Sequence, residues 1–362
     1  MFHDTIIVGG GQAALALGYF LKQQGRDFVI LEAASRPAAA WSSRWDSLRL
    51  FTPARYDSLP GAEFPGDPAH YPTRNEVVEY LTGYAERFEL PVELGNRVTR
   101  VTPTGGGWRV ETQAQVFAAH NVVIATGPFH VPRVPVDLAE RLGPNVQQLH
   151  SAEYRRAAEL QGGTVLVVGG GNTGYQIAEE LAADRRVHLA VGTRQQPMPT
   201  RLLGRESFSV LDRLGAMRKP ADTRLGRRFK DHDTLVGYGP RRARRQGVSL
   251  HGRAVGADDR SVTFADGTSV APDAVVWATG FTRDHGFVDA PVFADGDVVQ
   301  RRGVTPAPGL YFIGLPWLHT RGSALLGWVK EDAEHIARHI QTHAHHPRKD
   351  TPWLPAATPS PA

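Results

Sequence analysis

The chain writes one demanding pattern twice. Thr5 to Ala14 reads Thr-Ile-Ile-Val-Gly-Gly-Gly-Gln-Ala-Ala, and Val165 to Gly174 reads Val-Leu-Val-Val-Gly-Gly-Gly-Asn-Thr-Gly. Each is a short apolar strand that runs through a glycine turn into a helix, the arrangement that seats a pyrophosphate on a helix N-terminus. Two copies about 160 residues apart imply two nucleotide sites in one chain. Two bound nucleotides imply that electrons pass between them. The sequence contains no cysteine, which removes disulfides, thiolate metal sites and a redox-active cysteine pair from consideration.

In the first copy Gly9, Gly11 and Ala14 take the three small-residue positions: the first for the tight turn, the second for backbone approach to phosphate, the third for close packing of helix on strand. The spacing predicts a helix over 13–24 and a strand over 28–31. That strand leads into Glu32, 21 residues after Gly11, where an acid holds the ribose hydroxyls of an adenosine. The second copy repeats the plan with Gly169, Gly171 and Gly174, and with Asn172 and Thr173 opening the helix. A strand over 187–191 follows, but Gly192-Thr193-Arg194 stands where an acid would be. An acid there would repel a 2′-phosphate, whereas Thr193 and Arg194 would bind one, with Arg201 in reserve. This favours NADPH and leaves NADH open.

Between the two copies, Trp41 to Pro65 is rich in aromatics and lacks a sustained period, so a structured loop is expected. Thr73 and Glu76 form a capping-box signature for a helix through Glu89. Strands are expected over 92–100 and 108–111 with a turn at Gly105–Gly107, then an apolar strand from Val122 into Ala125-Thr126-Gly127. Three prolines between Pro128 and Pro135 suit a rigid crossover. Later, a hairpin at Ala265–Gly267 leads to a strand ending in Ala278-Thr279-Gly280, and Gly309 to Gly314 reads as a last strand. A terminal helix is expected over 323–340. Residues 195–250 carry short helical patches without a named role.

Several longer blocks are more specific than the glycine loops. They are Trp41-Ser-Ser-Arg-Trp-Asp-Ser-Leu-Arg-Leu-Phe-Thr-Pro53, Tyr71-Pro-Thr-Arg-Asn-Glu-Val77, Leu149-His-Ser-Ala-Glu-Tyr154 and Ala278-Thr-Gly-Phe281. On these the chain resembles the flavin-containing monooxygenase superfamily, and within it the bacterial CzcO-like or ArsO-like flavoproteins, from Ile6 to about Ile340. The family's identifying motif, Phe-x-Gly-x-x-x-His-x-x-x-aromatic, is only partly kept: His150 and Tyr154 match, while Pro144 and Val146 replace the Phe and Gly. His150 reads equally as a hinge residue or a cofactor contact.

The resemblance implies an α/β fold with two dinucleotide-binding (Rossmann-like) domains, the NAD(P)H domain inserted into a split FAD domain. The expected division is 1–158 and 284–345 for FAD, 159–283 for NAD(P)H, and a disordered tail over 346–362. It also implies that Trp41, Arg44 and Trp45 line the flavin, that Thr126, Gly127, Thr279 and Gly280 lie by the dinucleotides, and that Gly314 meets FAD. Leu315 replaces the usual acid after Gly314. The terminal helix would point its N-terminus at the flavin pyrimidine and stabilise charge on the reduced ring.

The implied activity is an FAD-dependent monooxygenase consuming NAD(P)H. Hydride reduces the flavin, oxygen adds at its C4a, and the peroxide oxidises a sulfur, nitrogen or arsenic centre or a ketone. The expected partners are a small-molecule substrate and molecular oxygen, with a homodimer as the candidate assembly. The alternatives are a flavin reductase or oxidase that inserts no oxygen, and a non-catalytic nucleotide-sensing flavoprotein. No individual residue is assigned a catalytic role. A net charge of only +4 gives no reason to expect nucleic acid. With no apolar run of roughly 18 residues and a strand beginning almost at Met1, the expectation is a cytoplasmic protein without membrane span or signal peptide. His339, His343, His345 and His346 read as a solvated cluster, and no metal is expected.

Overall fold

The apolar runs that begin the two repeated motifs are strands covered on both faces. A computed structural model of the chain describes residues 1–193, 195–202, 205–230 and 234–343. The expected tail over 346–362 and Arg194 lie outside the described residues. Within the strand Phe2–Val8, residues Thr5 to Val8 are all buried. Ile7 packs toward the helices Gln12–Gln23, Arg74–Arg87 and Val329–Thr342. Ile6 and Val8 turn to the opposite face, against Trp108, Val110, Phe117 and Val288. Alternate side chains leave a strand on opposite faces, so a strand sandwiched between two layers must be apolar at every position.

The first sheet runs in the order Val92–Glu93, Phe28–Leu31, Phe2–Val8, Val116–Ile124, with the first three pairings parallel. Beyond it the long strand Val116–Ile124 divides its free edge. Its first half pairs antiparallel with Gly107–Thr112, which continues to Val98–Thr104, and its last residues pair in parallel with Leu310–Phe312. The expected single strand over 92–100 is therefore two strands on opposite edges of this sheet, separated by Gly95, whose φ of +73° turns the chain.

The second sheet is wholly parallel: Ser249–His251, Arg186–Ala190, Thr164–Val168, Ala274–Trp277, Gln147–His150. One face packs on the helix Asn172–Leu181 and the other on an antiparallel meander formed by Ala254–Ala257, Val262–Phe264 and Ser269–Val270. Because Gln147–His150 pairs with Ala274–Trp277, the second unit recruits chain well before residue 158. The two units are joined where Val131–Pro132 runs antiparallel to Phe281–Thr282. The fold is thus the expected pair of Rossmann-type units, one inserted in the other.

Of the described residues in 195–250, the first part forms a small appendage, while the last joins the second sheet as Ser249–His251. Gln196–Met198 pairs with Thr234–Val236, and Ser207–Arg213 is a helix whose Phe208 is buried with Met217, Val236 and Trp328. Among the described residues no helix is long and apolar enough to cross a membrane.

Candidate dinucleotide-binding sites

Both glycine loops deliver an open cradle. Gly11 and Gly171 are the N-caps of helices of 12 and 10 residues, both extended and without a side-chain cap, so the first helical amides are left for an external acceptor. Apart from the adjoining backbone, no described atom lies within 4 Å of where a Cβ on either glycine would stand. At Gly9, with φ of +104°, a Cβ would come within 2.8 Å of the Ala125 carbonyl; at Gly169, with φ of +135°, it would strike the Ala278 carbonyl. Each loop therefore turns tightly over the end of a neighbouring strand, and only glycine fits that turn.

The third position differs. A Cβ on Gly174 would collide with the Gly169 carbonyl, whereas the first unit accommodates the methyl of fully buried Ala14.

Registry sharpens the comparison of the following strand. Val8 pairs with Leu31 and Val168 with Ala190, so Glu32 and Val191 occupy matching positions. Glu32 accepts from the Gly10 amide at 2.6 Å and the Ala34 amide at 2.8 Å, which fixes its carboxylate against the first loop. In the second unit a Cβ on Gly170 would meet the Val191 side chain at 2.6 Å. Thr193 lies just beyond. A residue the spacing did not single out stands there too: the Arg253 guanidinium, with its Cζ 3.4 Å from where a Gly192 Cβ would be. Arg253 follows the strand Ser249–His251, and only strand order places it beside Gly192.

The remaining expected residues fall at two places. Trp41 donates from Nε1 to Gln12 Oε1 at 3.0 Å, setting its ring over the start of the first helix. Thr126 Oγ1 is buried without a partner beside Gly9, an orphaned hydroxyl at the rim of the first cradle. Gly314, at positive φ, stands directly against Ala13, and Gly127, also at positive φ, follows Thr126 in the chain. The open cradle, the orphaned Thr126 hydroxyl and the anchored Glu32 fit an adenine dinucleotide. Arg44 is held further along, its guanidinium 4.5 Å from the Phe129 ring and 5.4 Å from the Phe281 ring, at the junction of the units.

Trp45 lies in a different cluster. It is buried in the cluster that holds Tyr154 and Tyr175 under the second sheet, against which Trp41 also packs, and its Nε1 is buried without a partner among the described residues. In the second unit Asn172 spends its side chain on the appendage, accepting from the Val236 amide at 3.0 Å, and Thr173 sits in the first helical turn. Thr279 Oγ1 donates to the Arg133 carbonyl.

Gly280 engages His150. The His150 Nε2–H donates to the Gly280 carbonyl at 3.0 Å, and Nδ1 accepts from the Ala152 amide at 3.1 Å. Both ring nitrogens are thus used by backbone, and burial holds the imidazole below its ordinary pKa. His150 fastens the crossover between units.

A family profile described as pyridine nucleotide-disulphide oxidoreductase matches residues 6–203, more than half of the chain. The chain belongs to this family. The oxidoreductase CzcO of Bacillus subtilis is 38% identical over 342 residues, covering 93% of this chain and 99% of that protein. A CzcO-like oxidoreductase of Geobacillus kaustophilus is 39% identical, covering 94% and 99%. Among solved structures, a flavin-containing monooxygenase from Stenotrophomonas maltophilia superposes with a TM-score of 0.80 at 29% identity, over 95% of this chain and 99% of that one. The chain is therefore a CzcO-like member of the flavin-containing monooxygenase superfamily and an enzyme of the oxidoreductase class. Membership implies a flavin and a nicotinamide nucleotide. The disulphide in the family's description has no counterpart here, because the chain has no cysteine.

Proposed function

We propose that the chain is an FAD-dependent monooxygenase that consumes NADPH and oxidises a small soft nucleophile or a ketone with molecular oxygen. The observation that carries the assignment of the two nucleotides is the asymmetry of the matching strand ends. At the first, a carboxylate is held by two amides where ribose hydroxyls bind. At the second, that position is Val191, with Thr193 and the Arg253 guanidinium beside it. A carboxylate accepts hydrogen bonds from ribose and repels a phosphate; a guanidinium does the reverse.

Bound FAD supplies the redox and oxygen chemistry. The chain's own residues place and shelter it. The amides above Gly11 and Gly171 would hold the two pyrophosphates, Glu32 would orient the adenosine, Trp41 would cover the loop, and the helix beginning at Val329 would offer its positive end to the ring. Similarity to a flavin-containing monooxygenase and the absence of a thiol acceptor support oxygen insertion over transfer to a disulfide.

The test is oxygen-18 labelling of the product from a panel of sulfides, amines, ketones and trivalent arsenicals under NADPH turnover. Label in an oxygenated product supports the reading. Stoichiometric peroxide release with every candidate would replace it with an oxidase. For the second cradle, Arg253→Ala should raise the NADPH dissociation constant about 10-fold while leaving NADH within a factor of about 2, the cost of roughly one charge-assisted hydrogen bond. Equal effects on the two nucleotides would remove Arg253 from the phosphate site.

A further inference from the structure

Asp57 is a buried carboxyl with no cation paired to it among the described residues. Its residue is 1% exposed. Oδ1 accepts from the Thr52 hydroxyl at 2.7 Å, and Oδ2 is buried without a partner. Burial pushes the carboxyl up to about 8, against the Thr52 bond, which favours the charged form.

Its position gives this group a use. A Cβ on Gly327 would strike the Tyr56 carbonyl and come within 3.1 Å of the Asp57 Cα. The Tyr56 ring stacks on Trp328, the N-cap of the terminal helix, at 5.5 Å and 11°. Lys330, in the first turn of that helix, donates from Nζ to the Ser58 carbonyl at 3.2 Å. Asp57 thus lies against the helix end to which the flavin ring is assigned. The titratable groups around it are otherwise committed. Tyr80, from the helix Arg74–Arg87, donates to the Ala62 carbonyl and accepts from the Leu59 amide. Arg55, on the same 3-10 turn, is ion-paired with Glu206, and Lys330 is held below its ordinary pKa by burial.

We propose that Asp57 is a proton-holding residue linked to the flavin, taking a proton from solvent when the flavin is reduced and returning it on reoxidation. The inference rests on the placement of the flavin given above. Electrons reach the ring from the nicotinamide; at Asp57 only one O–H bond forms or breaks, and solvent is the proton's source and sink. Charge on the reduced ring and charge on an ionised carboxylate repel each other in a poorly screened interior, so each state disfavours the other. The coupling is reciprocal: a group that binds a proton more tightly in the reduced state makes the potential depend on pH over the window in which it titrates.

The experiment is the midpoint potential of the flavin in the holoprotein as a function of pH, by anaerobic titration against reference dyes. A ring that takes one proton with two electrons falls by about 30 mV per pH unit. The wild type should steepen beyond that slope from near pH 8 upward, toward about 59 mV per pH unit with a second linked proton. Asp57→Asn should follow the one-proton line throughout. Thr52→Val, which removes the donor that favours the charged form, should move the steep window to higher pH. Superposable profiles for wild type and Asp57→Asn would overturn the proposal, as would an unmoved window in Thr52→Val if Asp57→Asn does not fold. A preparation that binds no flavin would instead overturn the placement on which the inference rests, so the two failures are distinguishable.

Discussion

At the scale of single residues, the two units differ where small atoms decide. Gly174 cannot carry a Cβ without striking the Gly169 carbonyl, while Ala14 carries one at the matching place. Gly174→Ala should therefore lower stability by about 1–3 kcal/mol in urea unfolding and weaken NADPH binding. Ala14→Gly should cost about 1–2 kcal/mol, from helix propensity and the buried methyl it removes, and should leave NADPH binding unchanged; a loss of NADPH binding equal to that of Gly174→Ala would contradict the difference in packing. Gly11→Asp should give protein that purifies without yellow colour, since the new side chain puts bulk and charge where pyrophosphate is assigned. These positions were legible in the sequence because a backbone constraint is written directly as glycine. Arg253 was not legible. It lies some sixty residues from Gly192, and only the parallel pairing of Ser249–His251 with Arg186–Ala190 brings the two together.

Among the elements, local chemistry was readable and tertiary boundaries were not. The helix Arg74–Arg87 carries the capping box its sequence announces: the Thr73 hydroxyl accepts from the Glu76 amide, and the Glu76 carboxylate accepts from the Thr73 amide at 2.7 Å. Hydrogen bonds from the Thr73 amide and hydroxyl hold the Glu76 carboxyl below its ordinary pKa. A depressed carboxylate pKa stabilises the fold above the unfolded value, and that contribution disappears as pH falls through the folded one. Thr73→Ala should cost about 1 kcal/mol at neutral pH, and the difference from wild type should shrink on acidification below the ordinary carboxylate range. A difference independent of pH would show that the box contributes nothing through charge. The terminal helix was expected from Ser323 but begins at Val329. The polar pattern Thr320–Ser323 caps a short 3-10 turn instead, and Gly322 and Gly327 fold that segment against Trp328 and Tyr56. Such close approaches leave no periodic trace.

For the molecule as a whole, the sequence repeat announced two similar units, and the structure adds how they are fastened. The junction is the strand pair Val131–Pro132 and Phe281–Thr282, backed by Arg44 between Phe129 and Phe281 and by His150 on Gly280. A second tie runs through Glu180, which accepts from the Tyr154 hydroxyl at 2.9 Å and from the Ser47 hydroxyl at 2.6 Å, joining the aromatic loop to the second unit's helix. Composition could exclude thiol chemistry but could not show which strands pair across the junction. The account's central claim is a division of labour: the first cradle holds the flavin, and the second admits the nucleotide that reduces it. Anaerobic mixing of Gly171→Asp with NADPH, followed by the flavin's visible absorbance, tests this most directly. The account predicts a yellow protein that retains its flavin, stays oxidised with NADPH and bleaches normally with dithionite. A variant that loses its flavin, or that NADPH bleaches as fast as the wild type, would contradict it.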